Sequence, residues 1–229
     1  EGRLTLFAQP IVSLRDRKHP LGFELLLRLR DDGDGPGDPG RLLAVAQRYQ
    51  LLPMVDRYVV DQAFAILAPH REVLARQRIT MAVNVSGQSL SDPEFATHFI
   101  EQLRLSKLPT GCIVVEVTEQ VATGNLAKAA EVMRRLRAAG CGIAIDDFGT
   151  GANSLAYVHQ LPVTRLKIDG SFVRDITTNK KSEAAVRGIV QLARDFVLQT
   201  VGEFVEDQQQ SDLLRRLGVD FGQGYLFGK

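Results

Sequence analysis

The feature that most restricts the fold of this chain is a sustained alternation of short apolar runs with amphipathic stretches. The apolar runs are Leu4–Ala8, Gly22–Leu27, Thr80–Val85, Ile113–Val117, Gly142–Ile145, Arg165–Ile168, Gln199–Val201 and Gly224–Phe227. Between them, residues 41–50 and 54–68 carry Leu, Val and Ile at spaced positions. Residues 93–104 open on Asp92 as an N-cap with Pro93 at the first helical position. Residues 125–139 set Leu126, Ala129, Met133 and Leu136 at helical spacing before Gly140, which sits where a C-terminal cap belongs. Residues 181–196 and 207–217 complete the predicted helices, the last closed by Gly218. Such alternation predicts parallel strands covered by helices, and eight such strands close into a barrel. The stretch Asp31–Gly40 reads as a surface connection, not a linker. We therefore expect one barrel domain over residues 1–229, cut from a longer protein because the chain starts at Glu1 and enters a strand-like run almost at once.

Charge and cysteine content narrow the setting. Lys and Arg number 28 and Asp and Glu 27, a net charge of +1. That excludes a strongly basic nucleic-acid coat, and no DNA or RNA polymer is expected as a partner. No apolar run approaches the roughly 18 residues needed to span a bilayer, and no signal peptide is recognisable. Cys112 and Cys141 each begin a β-like run and are expected to be buried free thiols. A full-sized core without a secretory signal argues against a disulfide and for a reducing, cytoplasmic setting.

The chemistry lies where polar residues interrupt the strands. Glu24 falls in Phe23-Glu24-Leu25-Leu26-Leu27-Arg28, Asn84 in Val83-Asn84-Val85-Ser86, and Glu116 and Glu119 in Glu116-Val117-Thr118-Glu119. Asp146 and Asp147 follow Ile143-Ala144-Ile145, Lys167 and Asp169 lie in Leu166-Lys167-Ile168-Asp169, Glu203 and Glu206 follow Val201-Gly202, and Gln223 precedes Gly224-Tyr225. Barrel strands end on one face, so these side chains would meet there despite their separation in sequence. Converging carboxylates repel unless cations neutralise them, and Lys167 alone cannot do so. A ligand set of Glu, Asp and Asn suits hard divalent ions such as Mg²⁺ or Mn²⁺ rather than zinc. The adjacent Asp146 and Asp147 could bridge two ions, an arrangement suited to phosphoryl displacement. His19, His70, His98 and His159 fall away from the strand ends and receive no ligand role.

These segments, together with Gln9-Pro10-Ile11-Val12 and Asp147-Phe148-Gly149-Thr150-Gly151, resemble the EAL domain family of cyclic di-GMP phosphodiesterases along essentially the whole chain. The resemblance implies an α/β fold, a modified TIM (β/α)8 barrel whose first strand is antiparallel. It implies a bacterial signalling hydrolase that converts cyclic di-GMP to linear pGpG with two Mg²⁺ or Mn²⁺ ions. By position, Glu24, Asn84, Glu116 and Asp146 correspond to ligands of one ion, and Asp146, Asp147 and Glu203 to ligands of the second. Lys167 corresponds to the residue that orients or helps activate the attacking water; near two cations its pKa is expected to fall. Gln9, Arg28 and Gln223 correspond to substrate contacts, Arg28 at a phosphate. Glu119 corresponds to the anchor of the loop after Asp147, which links dimerisation to activity, so a homodimer is implied, as are upstream sensory or GGDEF-type domains.

The chain departs from the family pattern at several points. Glu-Ala-Leu reads Glu24-Leu25-Leu26, the usual Gly after the last carboxylate is Phe204, and the Ala before it is Gly202. Ala152-Asn153-Ser154 replaces a common Tyr-Ser-Ser, and Thr164 stands where Asp is usual. Phe204 is expected either to pack as core under the strand end or to push the Glu203 backbone aside. Two other readings compete with an active enzyme: a cyclic di-GMP receptor with little turnover, and an aldolase with Lys167 as Schiff-base nucleophile.

Overall fold

A computed structural model describes residues 4–16, 20–30, 36–37, 39–120, 126–151 and 157–228. The strands are β1 (Leu4–Ser13), β2 (Pro20–Arg30), β3 (Pro36–Gly37), β4 (Thr80–Asn84), β5 (Ile113–Thr118), β6 (Gly142–Phe148), β7 (Arg165–Ile168), β8 (Gln199–Gly202) and β9 (Phe221–Gln223). Their order is β1-β9-β8-β7-β6-β5-β4-β2, and a β1–β2 pairing closes the barrel, with β3 added outside β2. β1 runs antiparallel to both neighbours, whereas β2 and β4 through β9 are mutually parallel. The expected eight-stranded α/β barrel with an antiparallel first strand is the fold observed.

Side-chain alternation divides each strand between two environments. Met81, Val83 and Val85, Ile113, Val115 and Val117, Ile143 and Ile145, and Leu166 and Ile168 belong to the main core, outside the barrel and beneath the helices. The intervening positions face the barrel axis, where Ala82, Val114 and Ala144 form a separate small cluster. Two residues further along the same face of each strand come Asn84, Glu116 and Asp146. The polar interruptions are thus the upper layer of a packed barrel interior, standing on a floor of small apolar side chains.

The helices flank these strands as their apolar spacing requires. They are α1 (Gly40–Arg48), α2 (Leu52–Leu67), α3 (Arg71–Gln77), α4 (Gly87–Leu90), α5 (Pro93–Ser106), α6 (Leu126–Ala138), α7 (Gly170–Val173), α8 (Lys180–Asp195) and α9 (Gln208–Leu217). Asp92 caps α5 by accepting from the Glu94 N–H at 2.9 Å, and Asp207 forms a capping box with Gln210 on α9. Gly140 and Gly218 take the left-handed conformation just past α6 and α9. Phe64 on α2 meets Phe99 on α5 edge to face, centroids 5.3 Å apart. Cys112 and Cys141 are buried free thiols, with burial pushing their pKa values up to about 11 and about 12. No helix among the described residues is long and apolar enough to cross a membrane.

One strand is displaced from its expected place. Gly224–Phe227 is a turn, and the closing strand is Phe221–Gln223. Leu226 and Phe227 pack against the core from that turn, which explains their strand-like composition. The Asp31–Gly40 connection, His19 and the Ala152-Asn153-Ser154 departure lie wholly or mostly outside the described residues.

Candidate active site

Lys167 on β7 is the hub of the upper layer. Its Nζ lies 3.1 Å from Glu24 Oε2, 2.9 Å from Glu116 Oε2, 3.0 Å from Asp146 Oδ1 and 2.9 Å from Glu203 Oε1. The side chain is 1% exposed. An ammonium has three protons and here meets four carboxylates, so negative charge is in excess. Burial opposes charge on Lys167, but Glu116, Glu203, Glu24 and Asp146 outweigh it and hold the amine well above its ordinary pKa. That is the direction set by the protein's own groups; the expected lowering concerns the site with two cations bound. A Schiff-base nucleophile must be neutral, so the aldolase reading loses its chemical basis.

The carboxylates respond unequally to this crowding. Burial pushes Glu116 up to about 8 despite Lys167, with Glu24 and Asp146 adding to the rise, and its Oε1 is buried without a hydrogen-bond partner. Burial likewise holds Glu203 well above the carboxylate range. Glu24 goes the other way. Its burial is outweighed by the Lys167 charge and by hydrogen bonds from Gln223, Asn84 and Lys167. Asn84 Nδ2 donates to Glu24 Oε1 at 2.7 Å, and Gln223 Nε2 donates to Glu24 Oε2 at 2.6 Å and to Gln9 Oε1 at 2.9 Å.

Strand alternation would send Asp146 and Asp147 to opposite faces. An irregularity in the β6–β7 register between Ile145 and Phe148, with Asp147 at φ 54°, turns both toward the mouth. Carboxylate oxygens of Asp146, Asp147 and Glu203 then lie within 4.8 Å of one another. Burial, with Asp146 and Asp169 nearby, pushes Asp147 up to about 6. Surplus carboxylate charge, an unpartnered Glu116 oxygen and an all-oxygen donor set all fit divalent cations. Two of the described histidines have other partners: His98 pairs with Asp61 at 2.7 Å and His159 packs edge-on to Phe196.

Above this floor opens a cavity of about 540 Å³ whose walls include Gln9, Arg28, Phe204 and Tyr225. Gln9 stands opposite Glu24 in the β1–β2 register, so the antiparallel strand carries it to the mouth. Arg28 donates through Nη1 to the Leu27 carbonyl at 2.9 Å. Glu119 Oε2 accepts from the N–H groups of Gly149 at 2.9 Å and Gly151 at 3.2 Å, gripping the loop after Asp147. A Cβ on Gly151 would overlap that carboxyl group.

Most departures have local explanations. Thr164 Oγ1 accepts from the Ile143 N–H at 3.0 Å and donates to its carbonyl at 2.9 Å. A Cβ on Gly202 would press on Leu214 Cδ1 at 2.9 Å. Phe204 follows neither expected course. It is 46% exposed, not core, and its own backbone is left-handed at φ 52°. Glu203 beside it remains in reach of Lys167. Arg165, which sequence reasoning did not single out as a site residue, is a second buried cation near the cluster. Burial lowers its pKa, partly offset by Glu116, and it donates to Gln199 Oε1 at 3.1 Å. Its position two residues before Lys167 on the same strand face is the signal that could have marked it.

A closed barrel with an antiparallel first strand and a lysine-centred acidic mouth agrees with the family match: the chain belongs to the EAL domain family, whose model matches residues 1–229. The chain is 34% identical over 229 residues to cyclic di-GMP phosphodiesterase PdeB of Shewanella oneidensis, covering 100% of this chain and 26% of that protein. It is 35% identical over 225 residues to cyclic di-GMP phosphodiesterase PdeF of Escherichia coli, covering 98% and 29%. It thus spans between a quarter and a third of the length of these curated relatives. Among solved structures it resembles the PaMucR phosphodiesterase in complex with c-di-GMP, with a TM-score of 0.90, 32% identity, and 99% and 91% coverage.

Proposed function

We propose that this domain hydrolyses cyclic di-GMP to linear pGpG. The observation that carries the proposal is the single buried ammonium shared by four carboxylates at the floor of a cavity that also holds Arg28 and Gln9. Glu24, Asn84, Glu116 and Asp146 would hold one divalent ion, and Asp146, Asp147 and Glu203 a second, with Mg²⁺ or Mn²⁺ the ions suited to these oxygens. Bound there, such ions neutralise a phosphodiester and lower the pKa of water. The chain's own groups supply the rest. Arg28 presents a planar fork to a phosphate, and Gln9 and Gln223 line the same wall. Lys167, in reach of all four carboxylates, would orient or help activate the attacking water. Water's oxygen would bond to phosphorus as the P–O bond to the sugar oxygen breaks, with a proton from water ending on the departing sugar oxygen, opening the ring.

We place the domain in the cytoplasm, as part of a homodimer and beside sensory or GGDEF-type domains of a longer chain. The relatives' names and the cyclic di-GMP bound in a structural neighbour support the substrate. The test is chromatographic assay of cyclic di-GMP turnover with Mg²⁺, with Mn²⁺ and in chelator. Metal-dependent pGpG formation is expected. Tight binding without turnover would establish the receptor reading instead.

A further inference from the structure

The chain leaves β4 at Asn84 under two successive restraints. The Val85 N–H donates to the Glu116 carbonyl at 2.9 Å, carrying the β4–β5 ladder one residue further. The next N–H, that of Ser86, donates at 2.9 Å to Oδ2 of Asp56, a side chain on the second turn of α2. The same Oδ2 accepts from the Ser89 hydroxyl at 2.6 Å. Ser86 Oγ in turn accepts from the Ser89 N–H at 3.3 Å and caps α4. A helix outside the barrel thus grips the backbone two residues beyond Asn84.

Packing alone does not call for a carboxylate at this junction. Asp56 is 8% exposed, and burying a carboxyl group against a hydroxyl and a backbone amide lowers stability. The adjacent Arg57 turns away to Asp92 at 3.0 Å. What a carboxylate supplies is firmer acceptance, and the short contact to Ser89 has the length of a charge-assisted bond. Asn84 needs such support. It is exposed at the mouth, and its Nδ2 is given to Glu24 Oε1 at 2.7 Å, so Oδ1 is the atom it can offer to a cation.

We propose that Asp56 is a positioning residue of the active site: from α2 it fixes the backbone beyond β4 and so holds Asn84 where it can serve the same cation as Glu24, Glu116 and Asp146. The inference rests on the metal ligands of the proposed function. It adds a residue that touches neither metal nor substrate and acts through Ser86 and the peptide of Val85.

The test is calorimetric titration of Mn²⁺ into the wild type and into Asp56→Ala, Asp56→Asn, Ser86→Pro and Val59→Ala, with thermal unfolding of each. Ser86→Pro deletes the N–H at a backbone, φ −73°, that proline adopts, and leaves Asp56 in place. Val59, a core residue of the same helix, controls for plain loss of packing. Kd for one Mn²⁺ is expected to rise about 10- to 100-fold in Asp56→Ala and in Ser86→Pro. Asp56→Asn should stay within about fivefold, because its amide oxygen still accepts at the same place. Val59→Ala should bind within about twofold of wild type although its Tm falls. With cyclic di-GMP, the Mg²⁺ needed for half-maximal rate should rise in parallel with Kd, while KM at saturating Mg²⁺ changes by less than about threefold. Asp56→Ala binding Mn²⁺ within threefold of wild type would overturn the proposal. So would Val59→Ala weakening Mn²⁺ as much as Asp56→Ala does. Should Asp56→Ala fail to fold, Ser86→Pro decides by the same threefold limit. A wild type that binds Mn²⁺ without hydrolysing cyclic di-GMP defeats the enzymatic reading and leaves the Kd series decisive. A wild type that binds no Mn²⁺ defeats both.

Discussion

Replacing Lys167 with methionine removes the positive charge that lies within 3.1 Å of Glu24, Glu116, Asp146 and Glu203 while keeping most of the side-chain volume. Lys167 and Glu116 are 1% and 0% exposed, so solvent cannot compensate. Removing one partner of a buried ion pair costs about 3–5 kcal/mol. For a chain of this length each kcal/mol shifts Tm by roughly 2–4 °C, so a fall of about 6–20 °C is expected at pH 8. The pH dependence has a definite sign. Glu116 is raised to about 8 and Glu203 well above its ordinary value even with Lys167 present. Between about pH 4.5 and pH 8 the folded protein therefore binds more protons than the unfolded chain, and stability falls as pH rises. The raised Lys167 pKa contributes stability fully present below its unfolded value, so it adds no slope in this window. Without the ammonium the carboxyl groups move higher still, and the deficit of Lys167→Met should widen from pH 5 to pH 8. Scanning calorimetry of both proteins in chelator at pH 5, 6.5 and 8 measures this directly. A variant within 2 °C of wild type at pH 8, or a deficit that narrows as pH rises, would refute the account of Lys167 as counter-charge.

Four further outcomes are expected. Glu24→Ala should lower kcat by about a hundredfold or more, while cyclic di-GMP binding survives through Arg28 and Gln9; wild-type turnover would reduce Glu24 to a strand residue. Ca²⁺, with longer bonds and more ligands, should fail to support turnover, and full activity in chelator would remove the metal requirement. Phe204→Gly relieves about 1–2 kcal/mol of left-handed strain and loses about 0.5–1 kcal/mol each in chain entropy and in contact of the ring with the Arg174 guanidinium. Its Tm should therefore stay within about 4 °C of wild type, and a fall above 10 °C would return Phe204 to the core. Glu119→Ala strips an acceptor from the Gly149 and Gly151 N–H groups. It should speed amide exchange at Gly149 at least tenfold, and unchanged protection would show that the loop is held by other contacts.

What the sequence made legible follows the period of its side chains. Runs such as Ile113–Val117 have an aliphatic residue at every other position, and the interruptions at Asn84, Glu116 and Asp146 fall at or within two residues of the ends of their strands. Period fails where the backbone changes conformation. No pattern announces that Asp147 is left-handed, although this turns it to the same mouth as Asp146. Tyr225-Leu226-Phe227 has strand composition but packs from a turn, because closure needs Gln223, not Gly224, opposite Ile11. The crowding around Lys167 was not visible in its own run, because Glu24, Glu116, Asp146 and Glu203 reach its nitrogen from other strands and strand ends. Phe204 was misplaced because an apolar residue type predicts burial, whereas a positive φ is a tertiary property.

The barrel is sealed by its two most distant strands. β1 and β9 meet over only three residue pairs, Ile11 to Ser13 with Phe221 to Gln223, against nine between β1 and β2. Across that short seam run the hydrogen bonds that tie Gln223 to Gln9 and to Glu24, between residues 214 and 199 positions apart. Closing so long a segment is the costliest loop in the molecule, and a seam of three pairs is a natural place for local opening. Each such opening would release one of the hydrogen bonds that keep Glu24 ionised. The charge state of the catalytic mouth is therefore tied to whether the ring is shut, and transient parting of the first and last strands would act on the site as a brief rise in the proton affinity of Glu24.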